Sequence, residues 1–265
     1  MKAELLAALP PEYPWRESIG YFPTIGSTND ALKLLARQGA PHGTALLAGH
    51  QTGGHGRMGR SFHSPEGMGI YLSLLLRPGC SPLELMHLTC AVAVAMCDAA
   101  ETAAGIRPGI KWTNDLVFGK QKLGGILTEL GLSPEGTVDY AILGIGINCR
   151  QKKEDFPPEL QDIASSLNLI TGKDIPPARL AAAMLEALHR MDDILLTKKA
   201  DILEQYRKDC VTIGHEISVV RPGSVRHGTA VSVDNEGALV VIYDDGSTET
   251  VNSGEVSIRG MYGYV

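Results

Sequence analysis

The chain has 265 residues, 44% of them hydrophobic, and a formal net charge of −6, so it can form one sizeable domain and a smaller one, and its acidity argues against a nucleic-acid surface. Its N-terminus lacks the basic and apolar segments of a secretory signal, and no apolar run reaches the roughly 18 residues of a membrane span. Its five cysteines form no CxxC pair, which is typical of a reduced protein, and we expect a cytoplasmic one.

The first polar motif follows a proline-broken N-terminal stretch. Residues 1–20 are too few for a helix-turn-helix module. Ser27 or Thr28 is placed to cap a helix that runs to about Gln38 and ends at Gly39. One residue suffices for a cap, so the remaining polar side chains of the Ser-Thr-Asn-Asp run are candidates for a binding site as much as for a cap.

A loop rich in glycine and arginine spans Gln51–Arg60, with four glycines and two arginines. It lies between two apolar segments, 44–50 and 70–77, which read as buried strands. Close backbone approach at glycine and bidentate pairing by arginine favour an anion such as phosphate or carboxylate. The segment differs from a P-loop only by Arg for Lys, but a P-loop must open a helix, and Pro65 and Gly67 prevent one here.

The middle of the chain predicts further strands around one long helix. Ser81 opens that helix, which runs to about Ala104 and carries His87 as a scaffold residue. A short strand over 110–118, interrupted by polar residues, is followed by a turn at Gly119-Lys120 and a return strand over 121–130. The paired glycines 124 and 125 indicate that something approaches the backbone there, and 137–148 reads as another buried strand.

This order predicts an α+β fold with a mixed or antiparallel sheet and helices packed on one side. Residues 150–176 are polar and rich in proline, as in a substrate lid or an ordering loop. Helices follow at about 178–196 and 200–209, and short alternating strands then occupy 216–221, 228–233, 239–243 and 249–251. We therefore predict a catalytic domain over 1–212 and a small all-β barrel over 213–265.

The polar residues at strand ends and in glycine-rich turns are dominated by cations. No Ser/His/Asp or Cys/His triad is legible among them, and the loop histidines 50, 55 and 63 match no common zinc spacing. A site rich in cations and poor in nucleophiles suits the reaction of one anion with another. At about 4 Å, two like unit charges repel by roughly 4 kcal/mol at an effective dielectric constant of 20. Arg and Lys would offset that repulsion. Neutral side chains such as Ser27, Asn29 and Gln51 would form hydrogen bonds with a neutral polar ring of the substrate.

Four motifs in order give the chain a resemblance to biotin protein ligases. Gly54–Arg60 resembles their GRGRxGR loop, and Ser27-Thr-Asn29 resembles their STN motif. Lys111-Trp-Thr-Asn-Asp115 resembles KWPND and continues into a matching segment, Lys122–Glu129. Gly144-Ile-Gly-Ile-Asn148 resembles GxGxN. These motifs cover about residues 25–150, and the small C-terminal barrel also matches the family.

The resemblance implies a catalytic domain of the class II synthetase and biotin ligase type followed by an SH3-like barrel. It implies that biotin and Mg²⁺-ATP form biotinyl-5′-AMP, and that biotin then moves to one lysine of an apo biotin carboxyl carrier domain. Biotin would contact Ser27, Thr28, Asn29, Gln51, His55, Gly56, Arg57 and Lys122. The nucleotide side would be served by Arg60, Lys111, Asn114, Asp115 and Asn148, and catalysis by Lys122, Arg57 and Lys111.

Three positions depart from the family pattern. His55 replaces the first Arg of the loop, Thr113 replaces the Pro of KWPND, and Phe62 takes a usual Trp position. Because histidine carries less charge than arginine at neutral pH, we expect weaker or more pH-dependent retention of the adenylate. The missing DNA-binding domain and the acidic charge lead us to expect a ligase without operator binding.

Two rival functions remain open from the sequence. A lipoate ligase or octanoyltransferase shares the fold of the superfamily, although a fatty-acyl pocket does not require the polar Ser-Thr-Asn and Gln51 set. A biotin sensor that binds without transfer is the second rival, although the retained cations argue against it. The Mg²⁺ ligands and the oligomeric state, with a homodimer among the options, are also open, and Asp115 is the candidate base for the acceptor lysine.

Overall fold

The computed structural model describes residues 1–252 and the backbone of residues 257–260. The α-helices are α1 Lys2–Ala8, α2 Thr28–Arg37, α3 Leu88–Ala104, α4 Leu167–Thr171, α5 Pro177–Ile194 and α6 Lys199–Asp209. The first seven strands are β1 Ile19–Ile25, β2 Ala45–Gln51, β3 Gly69–Leu76, β4 Gly109–Lys111, β5 Asp115–Phe118, β6 Gln121–Leu132 and β7 Val138–Asn148. Five further strands are β8 Glu216–Arg221, β9 Ser224–Val233, β10 Leu239–Tyr243, β11 Thr248–Val251 and β12 Ser257–Gly260.

The main sheet has the strand order β1-β2-β3-β7-β6-β5-β4. β1 and β2 run parallel, and every other neighbouring pair is antiparallel. β3 is buried along its whole length, and β7 almost so, which explains their near-continuous apolar sequences. The predicted α+β class with a mixed sheet is confirmed.

The expectation that the helices pack on one side of this sheet is wrong. Successive side chains of a strand point to opposite faces. On β2, Leu47 joins the large core with α3 and α5, whereas Leu46 packs with Leu32 and Ala36 of α2 in a separate cluster. α2 therefore covers the opposite face of the sheet, and the main layers are helix, sheet and helix.

The segment over 110–118 forms two strands, not the single interrupted strand that we predicted. The chain reverses at residues 112–114, so that Lys111 of β4 pairs with Asp115 of β5. The polar residues that looked like an interruption form the turn. The next turn, at Gly119-Lys120, is confirmed, because Phe118 pairs with Gln121 across it.

The N-terminal stretch contains two elements that sequence patterns did not indicate. α1 precedes the prolines, and β1 forms the edge strand of the sheet although it contains Pro23. Proline is tolerated at an edge because one side of the strand has no partner to receive a backbone N–H. Trp15 lies against Gly43, where a β carbon would come within 2.2 Å of the indole ring.

The predicted long helix from Ser81 is divided. A 3₁₀ turn covers Pro82–Leu85, and α3 begins only at Leu88 and ends at Gly105 with a left-handed φ of 74°. His87, at the division, is fully buried, and its Nε2 lies 2.9 Å from the Leu195 carbonyl oxygen. Within the described residues, Pro82–Ala104 is long and apolar enough for a membrane span, but most of it is buried inside the protein, as in a core helix.

Among the described residues, the second sheet is antiparallel with the order β11-β10-β9-β8-β12. Four of its strands match predicted ones within a few residues, whereas β12 was not predicted. The predicted domain 213–265 includes residues 253–256 and 261–265, which lie outside the described residues. The boundary at 212/213 and the SH3-like barrel stay predictions.

Candidate active site

A cavity of about 600 Å³ is lined by strands of the main sheet and by the loops that adjoin them. Every residue that we predicted for the site lines it: Ser27, Thr28, Asn29, Gln51, His55, Gly56, Arg57, Arg60, Lys111, Asn114, Asp115, Lys122 and Asn148. These residues come from motifs spread over more than a hundred positions of the chain. The fold therefore brings the neutral polar residues and the cations into one space.

One wall of the cavity is neutral and polar. Ser27 caps α2, its Oγ accepting a 3.4 Å hydrogen bond from the backbone N–H of Asp30. The backbone N–H and the hydroxyl of Thr28 lie 2.9 and 3.0 Å from Oε1 of Gln51, which ends β2. Thr28 and Asn29 are buried, so the motif supplies both a helix cap and side chains of the cavity wall.

Two polar residues behind this wall were not predicted for the site. Ser73 is fully buried in β3 and contacts Thr28 and Asn29 with its Oγ, at 2.7 and 2.5 Å. Glu129 of β6 accepts a 2.8 Å hydrogen bond from Nδ2 of Asn29. A lone serine in a strand of otherwise apolar residues was the available signal, since a buried hydroxyl needs a partner.

The two glycines of the 144–148 motif make room for neighbouring side chains. A β carbon at Gly144 would lie 2.3 Å from Oδ1 of Asn29, and one at Gly146 would lie 2.5 Å from the Phe62 ring. The two positions are alternate residues of β7 and therefore face the same side of the sheet. These glycines are required by close packing, since neither has a positive φ.

The second wall carries charge. Nζ of Lys122 donates a 2.7 Å hydrogen bond to Oδ1 of Asp115 across the β5–β6 hairpin. At Gly125, a β carbon would lie 3.4 Å from both of those atoms. The paired glycines thus have separate partners, because a β carbon at Gly124 would instead lie 2.5 Å from the backbone carbonyl oxygen of Gly146.

Arg57 reaches this charged wall from the loop. Its Nη1 donates a 2.9 Å hydrogen bond to Oδ1 of Asn114, whose Nδ2 donates to the Ile126 carbonyl at 3.0 Å. Burial lowers the pKa of the Arg57 guanidinium below its ordinary range, while the nearby Asp115 carboxylate opposes that shift. An arginine stays charged even so, and partial desolvation strengthens its interaction with an anion.

The glycine- and arginine-rich loop folds back on itself over the cavity. Gly56 donates its backbone N–H to the Arg60 carbonyl at 2.7 Å, and His55 forms a bridge with Ser61. Arg57–Gly59 makes one 3₁₀ turn, with Met58 at a left-handed φ of 57°. No α-helix begins there, so the rejection of a P-loop is confirmed.

The three histidines of this region each contact a backbone carbonyl oxygen. His50 Nδ1 lies 2.7 Å from Ser64 O, His63 Nε2 lies 3.1 Å from Asp155 O, and His55 Nδ1 lies 3.1 Å from Gly53 O. Among the residues that the structure describes, no group of three or more His, Cys, Asp or Glu side chains is arranged to hold a metal ion.

The segment 150–176, which we predicted to be a substrate lid or an ordering loop, borders the cavity beside Lys122. The backbone N–H of Lys122 donates to the Ile163 carbonyl at 2.7 Å, and that of Ser165 donates to the Lys122 carbonyl at 2.8 Å. Asn148 donates to the Ser165 carbonyl and accepts from Gln151, both at 3.0 Å. The side chain of Asn148 therefore holds this segment in place, which is a contact that the sequence did not predict.

Trp112 joins the cavity wall to the second sheet. Its indole Nε1 donates a 3.0 Å hydrogen bond to the carbonyl of Gly237, in the turn between β9 and β10. Arg207 of α6 donates to the Val233 and Asp234 carbonyls of the same turn, at 2.6 and 3.1 Å. The small sheet is thus hydrogen-bonded directly to a residue that lines the cavity.

Two protein-family models match the chain. The model of the Biotin/lipoate A/B protein ligase family matches residues 21–148, and that of the Biotin protein ligase C terminal domain matches residues 212–259. The Bifunctional ligase/repressor BirA of Bacillus spizizenii is 37% identical over 227 residues, covering 85% of this chain and 70% of BirA. The Biotin--[acetyl-CoA-carboxylase] ligase of Mycobacterium tuberculosis is 31% identical over 91% of this chain and 89% of its own.

The chain belongs to the biotin protein ligase family. A solved structure supports this assignment: the biotin protein ligase from Aquifex aeolicus in complex with biotin and ATP has a TM-score of 0.77 and 29% identity, over 91% of this chain and 98% of that one. The predicted resemblance is therefore confirmed, and the second family match accounts for the small C-terminal sheet.

Proposed function

We infer that the protein is an ATP-dependent biotin ligase that activates biotin to biotinyl-5′-AMP and transfers it to one lysine of an apo biotin carboxyl carrier protein. Membership of the family and the names of its relatives support this function. The observation that carries it is that one cavity is lined both by neutral polar side chains, such as Thr28 and Gln51, and by cations, such as Lys122 and Arg57.

The reaction requires two anions to meet. A carboxylate oxygen of biotin attacks the α-phosphorus of ATP, the bond from that phosphorus to the bridging oxygen breaks, and pyrophosphate leaves with the electron pair. Lys122 and Arg57 offset the repulsion between carboxylate and phosphate and the charge that accumulates in the transition state. Lys111 contributes a further cation, and holding both substrates in one cavity supplies orientation.

We assign the biotin side of the cavity to the residues predicted for it: Ser27, Thr28, Asn29, Gln51, His55, Gly56, Arg57 and Lys122. The nucleotide side is assigned to Arg60, Lys111, Asn114, Asp115 and Asn148, with Asn148 acting through the segment that it anchors. Mg²⁺ would arrive bound to the phosphates of ATP and to water, and it would neutralise part of the triphosphate charge.

In the second half-reaction, the amine of the acceptor lysine attacks the biotinyl carbonyl, and AMP leaves. Asp115 is the candidate to receive the proton from that amine, since its carboxylate lies in the cavity beside Lys122. The partner is the apo carrier domain of a biotin-dependent carboxylase. A cytoplasmic location and a homodimer stay predictions.

The rival functions differ in measurable ways. We expect the purified protein to release pyrophosphate only when biotin and ATP are both present, and to form a species with the mass of biotinyl-AMP. Addition of an apo carrier domain of acetyl-CoA carboxylase should then add one biotinyl group to one carrier lysine. Equal pyrophosphate release with lipoate would favour a lipoate ligase, and biotin binding without pyrophosphate release would favour a sensor.

A further inference from the structure

A hydrogen-bond chain runs behind the neutral wall of the cavity. It begins at Lys33, whose Nζ lies 2.7 Å from Oε1 of Glu129, while Oε2 of Glu129 accepts from Nδ2 of Asn29 at 2.8 Å. It continues from Oδ1 of Asn29 to Ser73 and from Ser73 to Thr28. Neither Glu129 nor Ser73 lines the cavity.

The direction of this chain is set at its charged end. A carboxylate paired with an ammonium group is ionised and can only accept hydrogen bonds. Partial burial lowers the pKa of Lys33, but hydrogen bonds to Glu129 and Asp30 raise it overall above its ordinary value, so its charge is retained. Asn29 must therefore turn its NH₂ toward Glu129 and its oxygen toward Ser73.

Counting the available protons gives the donor and acceptor roles in the middle of the hydrogen-bond chain. The amide oxygen of Asn29 has no proton, so the single hydroxyl proton of Ser73 occupies the 2.5 Å contact between them. The oxygens of Ser73 and Thr28 are 2.7 Å apart, and Ser73 has no second proton to give. Thr28 therefore donates its own proton within the wall, either to Ser73 or to Oε1 of Gln51.

These hydrogen bonds determine which donors and acceptors the wall offers to a ligand in the cavity. With its proton committed inside the wall, the Thr28 hydroxyl meets a ligand only as an acceptor. Oε1 of Gln51 takes the backbone N–H of Thr28, and Nε2 of Gln51 donates one of its hydrogens to Oγ of Ser64 at 3.5 Å. The second hydrogen of the Gln51 NH₂ group is the one that meets a ligand as a donor. An acceptor beside a donor complements the N–H and C=O edge of a cyclic urea, which biotin carries.

We propose that Glu129, held by Lys33 and acting through Asn29 and Ser73, is a positioning residue that sets the hydrogen-bond direction of the head-group wall and so its fit to the ureido ring. This proposal rests on biotin being the ligand, as argued above. It assigns Glu129 no contact with substrate, and it predicts that the sense of the hydrogen bonds matters as well as their presence.

The first test changes the direction with little change in shape. In Glu129→Gln, Lys33 holds the new amide oxygen, so the NH₂ of the glutamine faces Asn29 and forces the Asn29 amide to turn over. Ser73 then accepts from Asn29 and donates to Thr28, which weakens the Thr28 hydroxyl as an acceptor. We expect KM for biotin to rise about tenfold, the effect of one misdirected hydrogen bond, with kcat within about twofold of the parent.

The second test restores the direction. In the double variant Glu129→Gln/Asn29→Asp, the glutamine NH₂ donates to one carboxylate oxygen of residue 29, and the other oxygen accepts from Ser73. We expect most of the biotin affinity to return, as measured by calorimetry and by KM in the pyrophosphate assay. The matched control is Glu135→Gln, the same change at an exposed turn residue, which should leave KM for biotin unaltered.

The outcomes separate this proposal from the proposed function. If the parent protein shows no biotin-dependent pyrophosphate release, the function itself fails. If the parent is active and Glu129→Gln keeps its KM, or if the double variant binds biotin no better than Glu129→Gln, the positioning role is refuted. Should Glu129→Gln fail to fold, recovery of a folded, biotin-binding double variant supports the proposal, and a double variant that folds without binding overturns it.

Discussion

Lys122 and Asp115 face each other across the β5–β6 hairpin, with Nζ and Oδ1 2.7 Å apart. The ammonium that we assign to the reacting anions is therefore already oriented by a carboxylate before substrate binds. The pairing keeps a flexible lysine side chain in one direction, so less conformational entropy is lost when the substrates arrive. It also places the candidate base, Asp115, beside the ammonium that we assign to the reacting anions.

Replacement of Lys122 by methionine should slow biotin adenylation about 100- to 1000-fold, the usual effect of removing one preorganised donor from an anionic transition state. The measurement is biotin-dependent pyrophosphate release under saturating ATP, with folding checked by circular dichroism. Lys120→Met, an exposed lysine of the same hairpin turn, is the control and should retain the parental rate. An unchanged rate in a folded Lys122→Met protein would contradict the assigned role.

Gly144→Ala should lower both stability and biotin affinity. The new methyl group would lie 2.3 Å from Oδ1 of Asn29, and overpacking of this kind costs about 1–3 kcal/mol in free energy of unfolding. Urea denaturation and biotin titration measure the two effects. Addition of Asn29→Ala should restore much of the stability without restoring the affinity. If Asn29→Ala restores no stability, the new methyl group at residue 144 overlaps with a different residue.

His55→Arg should slow the leakage of biotinyl-AMP at every pH between 6 and 8. Arginine stays charged and can pair with the adenylate phosphate through two parallel hydrogen bonds, which histidine cannot form. His55 lies in the loop at the cavity, with Nε2 3.9 Å from Oδ1 of Asp30. Radiolabelled adenylate release can be followed at each pH, with His227→Arg of the second sheet as control. Identical leak rates would refute the expectation.

Alkaline pH should destabilise the fold through its buried thiols. Burial raises the pKa of Cys90 and of Cys149 from 9.0 to about 12. Unfolded thiols therefore release protons from about pH 9, while the native thiols hold theirs until about pH 12. The native state binds more protons in that window, so the stability is complete below pH 9 and is lost as the pH rises toward 12.

The measurement is the free energy of unfolding in urea between pH 7.5 and 10.5. Each thiol that is protonated in the native state and ionised in the unfolded state lowers the free energy of unfolding by at most about 1.4 kcal/mol per pH unit. Cys149→Ala is less stable overall, because it leaves a cavity, but it should show a shallower fall above pH 9. Equal slopes in the variant and the parent would show that Cys149 does not contribute.

The sequence predicted the parts of the fold that depend on local pattern. β2, β3 and β7 appear as apolar runs because they are buried on both faces, and the β5–β6 hairpin follows from its Gly-Lys turn. Lys122 and Asp115 could be placed near each other for the same reason. The side of the sheet that α2 covers was mispredicted, because amphipathic spacing identifies a buried face without saying which surface buries it.

The hydrogen-bond chain behind the neutral wall shows why sequence patterns missed other parts of the site and the fold. Asn29 and Glu129 are a hundred residues apart, and Ser73 reaches them only because β3, β7 and β6 are neighbours in the sheet. No local period connects such residues. β1 was missed for a different reason: an edge strand that is partly exposed and contains Pro23 has neither a continuous apolar run nor clean alternation.

The hydrogen bond from the Trp112 indole to the Gly237 carbonyl limits how far this ligase can be shortened into a compact labelling tool. A version that stops after α6 would remove the acceptor of the Trp112 indole N–H and would uncover a side chain that is buried in the full structure, at the wall of the cavity. An engineer would have to graft a replacement acceptor, or substitute the indole, before trimming the C-terminal unit.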